Sequence, residues 1–562
     1  MTSRWLILVC ALGSACVGCG GSGDEGSAGQ GGSGGASGTG GSGGNGGSGG
    51  FGGVPGSFAL AYLADQDRVG FDDLYVGRTN GADNQRVSHE LEVGRVVDFA
   101  WSPDGSRIAY LADDDTDLFP GCATCRQELF TSLPDGTDNR RVSDELVDGG
   151  RVESFRWSPD GTKLAYLATQ ESTHTPELYT STPAGTDTRK LNGPVLLGDE
   201  VVDYAWSPDG GRVAYLLYGA TDNVRELYSN LADGSDNRRV SAELATDRQV
   251  NGFQWSPDGA HIAYVADQDV DNLFELFVST ADGAQNQRVS GALVSGSQGL
   301  KASLYAWSPD ASHVAYQTDQ ESVGVQELYT STPDGADNRK VNPDYGPGQS
   351  VSGFAWSPEG SRVAYLANQD SLALRELYTA APDGSGGHKV NGPLSEGGLG
   401  TVIAFQWSPD GAWIAYQADQ ETAFVFELYA SRPDGSDNRK VNGVLQPQGG
   451  EVASYVWSPD GARIAYRANQ DNPNLLELYS SAIDGSGNAK INDVLQPDGD
   501  VNVFEWSPDG ARIAYRAAQD TSDVFEIYSS QLDGSANQKA NPPLSAGQSA
   551  TRFAWSPAPE AP

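Results

Sequence analysis

Residues Phe405–Asn442 read FQWSPDGAWIAYQADQETAFVFELYASRPDGSDNRKVN, four short strand-like runs separated by turns. The first run ends in Phe405 and Trp407, which a period of two places on one face of a strand. Ser408-Pro409-Asp410-Gly411 then breaks it: Pro presets φ, Asp bonds nearby backbone, and Gly accepts positive φ. The second run, Ile414-Ala415-Tyr416, is continuously apolar, as expected of a strand covered on both faces. The third carries Glu427-Leu428-Tyr429, and a second turn at Asp434-Gly435 leads into the polar run Asn438–Asn442. A polar, basic last strand suits an outer edge that must not pair with other chains. We name the four runs a, b, c and d. No helical periodicity competes with them.

The same unit recurs along the chain. W-S-P appears with Trp at 101, 157, 206, 255, 307, 356, 407, 457, 506 and 555, at spacings of 49 to 56 residues. A fixed period near 50 demands a repeat architecture. Four-stranded antiparallel units of this length are blades of a β-propeller, so the fold class is all-β. The W-S-P-D-G-x-x-I-A-Y pattern resembles the TolB-type, WD-repeat-like propellers of bacteria, over about Phe58–Pro557. TolB carries an α/β domain before its propeller. This chain has a Gly-rich stretch there instead, so the resemblance does not carry TolB's partners over.

The ends of the repeat predict how the fold closes. Phe58–Ser88 supplies strands b, c and d with no strand a before them, and Thr551–Pro557 supplies a strand a with nothing after it. Joined, they complete one blade, giving ten blades in a single ring closed by its N- and C-terminal strands. Two stacked smaller rings or an open arc are the alternatives. No linker or composition break divides the repeats, which favours one ring.

The N-terminal residues 1–18 hold a positive Arg4, a short apolar run at Trp5–Leu12, and small residues. With the following Cys19 they resemble a bacterial lipoprotein signal, which implies lipidation of Cys19, or alternatively of Cys16. An ordinary secretory signal is the plainer reading. Residues 19–56 form a tether: Gly20–Gly56 holds 21 Gly in 37 residues. Such a stretch cannot bury enough surface to offset its ordering entropy. The propeller is assigned 57–562. Gly20 after Cys19, by the same resemblance, favours an outer-membrane lipoprotein, facing either the periplasm or the cell surface.

With 75 acidic and 36 basic side chains, the net charge is 36 − 75 = −39. That opposes a nucleic acid partner, which needs clustered Lys and Arg, and docking on anionic lipid through a basic patch. Membrane contact is therefore expected only through the N-terminal lipid, and the chain is expected to be a monomer.

Repeated columns point to candidate sites. Five residues after the strand-b Tyr stand Asp67, Asp115, Glu171, Asp269, Glu321, Asp370, Glu421, Asp471 and Asp520, with Gln before the residue at this position in eight units of ten. Carboxylate and amide oxygens suit a hard cation, here Ca²⁺. The structural reading is that these side chains hold the b–c turn. Apart from Ca²⁺, no cofactor is expected. Eleven residues after that Tyr comes another acid (Glu427, for example), and strand d carries a base in every unit (Lys440). These read as exposed cross-strand pairs, about 0–1 kcal/mol each. The b–c loop at Asp113–Gln127 is seven residues longer than its counterparts and contains Cys122 and Cys125, expected to form a local disulfide in an oxidising compartment. Blade-specific residues in strand a are the ligand or partner candidates: Asp98, Arg156, Asp203, Gln254, Gln406, Glu505 and Arg552. No nucleophile motif, phosphate loop or zinc spacing emerges. The expected function is non-enzymatic: a scaffold offering its loop rim and channel to a protein, peptide or glycan. The rivals are a glycan lyase or hydrolase using channel carboxylates, and a Ca²⁺-stabilised surface protein.

Overall fold

The structure is a computed structural model, described for residues 58–91, 94–113, 126–301, 303–395, 400–446 and 450–557. It contains ten four-stranded antiparallel sheets arranged as one ring. In nine of them the strands follow in chain order a-b-c-d. The tenth is composite: its strands b, c and d are Ala59–Ala64, Asp73–Arg78 and Gln85–Arg86, and its strand a is Ala550–Trp555. We call this blade 1 and number the rest onward, so that strand a of blade 2 is Arg95–Trp101 and that of blade 10 is Val503–Trp506. The expected closure by the two chain ends is thus observed, with Leu60 opposite Trp555 and Ala61 opposite Ala554.

Strand b is buried on both faces: Ile414, Ala415 and Tyr416 are all fully covered. Its Tyr stacks on the aromatic residue of strand c in every blade, with centroids 5.5–5.7 Å apart. Strand d is only two or three residues long and exposed or half-buried, a short polar edge. Strand a contains an irregularity that period two does not anticipate. Val96, Phe99 and Trp101 lie on the covered side, although the step from Val96 to Phe99 is odd. A bulge between Val96 and Asp98 absorbs the extra residue, and seven further blades repeat it.

Neighbouring blades are joined by two seams. At the inner seam, each W-S-P Trp donates its indole N–H to the carbonyl of the residue before the corresponding Trp in the preceding blade. Trp356 Nε1 reaches Ala306 O at 3.0 Å, and all ten tryptophans repeat the bond. The series closes on itself: Trp555 bonds Glu505 O and Trp101 bonds Ala554 O. At the outer seam, Asn338 Nδ2 donates to Val289 O of the preceding blade at 2.8 Å, and Asn139, Asn286 and Asn537 do likewise. Between the seams lie ten apolar clusters, each shared by two adjacent blades. One of them spans blades 10 and 1. Gly81 shows how tightly that junction closes: its φ is +73°, and a Cβ there would stand 2.8 Å from Lys539 O across the seam.

Each Trp bridges two blades while remaining nearly buried, and Trp356 is 9% exposed. Truncating a buried aromatic costs about 3–5 kcal/mol. Trp356→Ala is therefore expected to lower the melting temperature by several degrees. A calorimetric scan superimposable on that of the parent would remove the packing role.

Candidate functional site

The ring has two unlike faces. The a–b and c–d turns share one face, and the b–c and d–a loops share the other. The turn face is acidic. Its S-P-D-G and D-G turns present carboxylates whose oxygens cap the turns: Asp310 Oδ1 accepts from Ser308 Oγ at 2.6 Å and Ser312 N at 3.0 Å. Hydrogen bonds from Ser235 hold the Asp233 carboxyl below the usual range, so it stays ionised. The described chain enters at Phe58 and leaves after Trp555 on this same face, since strand b starts and strand a ends there.

The large apolar side chains left exposed lie elsewhere. Val69, Val323, Leu372 and Phe424 are in b–c loops, Val270 ends a strand b at the same face, Leu196, Leu197, Val444 and Val494 are in d–a loops, and Val202, Ile403, Val456 and Val503 are on strand a. Among the described residues none is on the turn face.

The inner wall of the ring is built from the ten strands a, and it is divided by charge. The strands of blades 5 to 9, Val250–Trp255, Tyr305–Trp307, Val351–Trp356, Val402–Trp407 and Val452–Trp457, contain no charged residue. Those of blades 10, 1, 2, 3 and 4 each carry at least one. The candidates Asp98, Arg156, Asp203, Glu505 and Arg552 all lie on this charged half. Arg552 pairs with Asp98 across the junction of blades 1 and 2, its guanidinium 4.9 Å above the Phe99 ring. Arg156 pairs with Asp203 across blades 3 and 4 at 3.4 Å and stacks on Tyr204. Both pairs are about half exposed. Gln254 and Gln406 stand on the uncharged half. Gln254 Oε1 accepts from Trp307 N at 3.4 Å, and the Gln406 carbonyl takes the Trp457 indole bond. The pairing of these ions across blade junctions, and their gathering on one half of the ring, are not legible in the sequence.

Glu505 differs from the other acids. Among the described residues no ion pair involves its carboxyl, and burial pushes it up to about 7. A folded-state value raised above the unfolded one gives stability that is full below about pH 4 and is lost as pH rises through 7. Glu505→Gln is expected to raise stability at pH 8 by an amount on the order of 1–3 kcal/mol and to change little at pH 5. Equal melting shifts at both pH values would contradict the half-buried carboxyl with its raised value.

The repeated acids of the b–c loops meet amines rather than one another. Glu171, Asp269, Glu321, Asp370, Glu421, Asp471 and Asp520 each pair with the Lys or Arg of strand d at 2.6–3.8 Å. Asp67 accepts from Tyr75 OH at 2.9 Å. Asp115, Cys122 and Cys125, like Cys16 and Cys19, lie outside the described residues. The preceding Gln accepts from the strand-b Tyr hydroxyl, as Gln420 does from Tyr416 at 2.7 Å. Among the described residues no three His, Cys, Asp or Glu side chains form a metal-holding group. The strand-c acids require a correction: the pairs expected to be exposed are half buried. The side chains of Glu327, Glu477 and Glu526 are 1–5% exposed. Each accepts from the Tyr hydroxyl two residues on and pairs with the strand-d Lys, as Glu327 does with Tyr329 at 2.9 Å and Lys340 at 3.2 Å. Breaking such a pair leaves a charge in the interior, a larger cost than losing a surface ion pair.

No family model and no curated protein matches the chain. Solved structures similar to it include the following two. Porphyromonas gingivalis dipeptidyl peptidase 4 is 11% identical with a TM-score of 0.45, covering 74% of this chain and 65% of that one. A putative TolB from Agrobacterium tumefaciens is 17% identical with a TM-score of 0.28, covering 52% of this chain and 93% of that one. The chain thus spans less than two thirds of the peptidase chain.

Proposed function

We propose that the protein is a non-enzymatic binding scaffold that receives a protein or peptide partner on its b–c and d–a loop face and inner wall. The segregation of exposed apolar side chains carries this reading. They occupy the loop face and the inner wall and leave the turn face to carboxylates. Exposed apolar surface gathered in this way marks interaction sites. The side chains are aliphatic except Phe424, which favours a polypeptide over a glycan, whose sugar rings pack on flat aromatic faces. The acidic loops favour a partner with basic residues around its apolar contact. The sequence of residues 1–56 supports export and a lipid anchor at Cys19. Because the chain enters the ring on the turn face, the loop face would be directed away from that anchor.

A photo-crosslinking residue placed in turn at Leu372, Phe424 and Val444 in the native cell tests this. One partner of constant mass is expected from all three positions. Its capture should weaken with salt and be lost in Val444→Asp/Val494→Asp. Capture from Asp334 or Asp434 on the turn face, with none from the loop face, would overturn the reading. The elevated Glu505 carboxyl favours one second reading, a hydrolase or lyase using it as a general acid. Turnover in a panel of glycans and peptides, abolished in Glu505→Gln, would support that reading instead.

A further inference from the structure

A cleft of about 520 Å³ opens on the turn face between blades 5 and 6, and its origin lies in one column of the repeat. In blades 2, 4, 7, 9 and 10 strand b is led in or opened by Arg107, Arg212, Arg362, Arg463 and Arg512. Each guanidinium bonds a strand-c hydroxyl and a carbonyl of the c–d turn. Arg463 reaches Ser480 Oγ at 2.8 Å and Gly487 O at 2.9 Å, and Arg512 reaches Ser529 Oγ and Ala536 O, both at 2.9 Å. Arg107 adds an ion pair to Asp138 at 2.9 Å. The fold therefore contains a guanidinium site that it fills itself in five of its ten blades.

In blade 5 the two side-chain positions change together. His261 replaces the Arg and Val278 the hydroxyl residue, while Gln285 keeps the turn carbonyl, which accepts from Thr280 N at 2.9 Å, and all three line the open cleft. His261 is too short to reach the turn and stacks toward Trp307 instead, with centroids 6.3 Å apart. Its Nδ1 is buried with no hydrogen-bond partner. Gln287 donates through Nε2 to Pro333 O at 2.9 Å, which leaves its amide oxygen an acceptor. Asp334 and Asp337 of blade 6 supply two carboxylates, and no Lys or Arg lines the cleft. A hydrogen bond from Thr332 holds Asp334 below the usual carboxylate range, so it remains charged. Asp337 is also paired with Arg339 at the mouth. The walls thus offer acceptors and negative charge, in a protein whose net charge of −39 draws cations toward it.

We propose that this cleft binds the guanidinium of an arginine-containing peptide, which takes the place that the chain's own arginine occupies in five other blades. A planar group of five donors suits converging acceptors and carboxylates better than an ammonium does. The volume leaves room for the flanking peptide. The site is on the face opposite the loop rim and does not depend on the partner proposed there.

Titration calorimetry of the full chain with acetyl-Ala-Arg-Ala-amide tests it, with the citrulline peptide as the neutral isostere. The arginine peptide should bind saturably at one site, and the citrulline peptide at least 10-fold more weakly. His261→Arg should abolish binding, because the variant fills the site as its sibling blades do, and Val278→Phe should block it from the other strand. Equal heats for arginine and citrulline, no saturable binding at millimolar peptide, or full binding in a folded His261→Arg or Val278→Phe variant would each overturn it.

Discussion

Deleting the last strand, Ala550–Trp555, is expected to collapse the cooperative unfolding of the whole ring rather than loosen one blade. The strand contributes Phe553 and Trp555, buried in the cluster between blades 10 and 1. Truncating two such aromatics alone costs about 6–10 kcal/mol. The deletion also removes the ladder to Ala59–Ala64 and the carbonyl of Ala554 that receives Trp101 Nε1. Blades 10 and 2 then each face a blade 1 that lacks its inner strand. Global stability is typically only about 5–15 kcal/mol, so the truncated chain should show no sharp transition or one at least about 10 °C lower. Circular dichroism melting of the two chains reads this. A truncated chain that melts as sharply and as high as the parent would show that the C-terminal strand does not close the ring.

The second large effect is alkaline. Tyr215, Tyr316, Tyr365, Tyr416 and Tyr466 of strand b are buried, and burial pushes each hydroxyl up to about 12. Burial raises the strand-c tyrosines as well, and their neighbouring glutamates raise them further, as at Tyr329 and Tyr378. For Lys340 and Lys440, burial acts to lower the value, but the hydrogen-bonded carboxylates beside them outweigh it and raise it. All these folded values exceed the unfolded ones, near 10, so the sign is common. The unfolded chain releases its protons near pH 10 while the folded chain holds them. Stability is full below about pH 10 and falls as pH rises toward 12. Each strand-b Tyr contributes on the order of 2–3 kcal/mol to that loss, and five together match a typical total stability. The protein is expected to unfold cooperatively between pH 10 and 12, with tyrosinate absorbance at 295 nm rising together with loss of the circular dichroism signal. Tyrosinate appearing near pH 10 while the fold persists would contradict the buried ladder.

Much of this architecture was legible because the repeat reads the chain against itself. Trp at a fixed offset from S-P-D-G set the blade boundaries, and the unmatched strands at Phe58 and Thr551 set the closure. The bulge in strand a was hidden, because Val96 and its counterparts show as burial out of phase and a run such as Val96-Val97 carries no parity. The burial of the strand-c glutamates was hidden too. An acid facing a base looks the same in sequence whether or not a Tyr hydroxyl and a further carboxylate complete the group, as at Glu427, Tyr429, Lys440 and Glu421. Asp98 and Arg552 were singled out separately. Nothing short of ring closure shows that residues 454 positions apart form a pair. The blade 5 cleft left a signal in the sequence, His261 in a column occupied by Arg in five blades. The signal acquires meaning only when the guanidinium contacts of the other blades are known.

Circular closure underlies the inner wall, the loop face and the seam alike, and one crosslink tests it most directly. Ala61 and Ala554 are partners across the terminal strands. An Ala61→Cys/Ala554→Cys chain, oxidised at low concentration and mapped by mass spectrometry, should yield one intramolecular disulfide joining the peptides that contain these two positions. Finding both thiols free, or finding them joined only between chains, would contradict a single ring closed by its own ends.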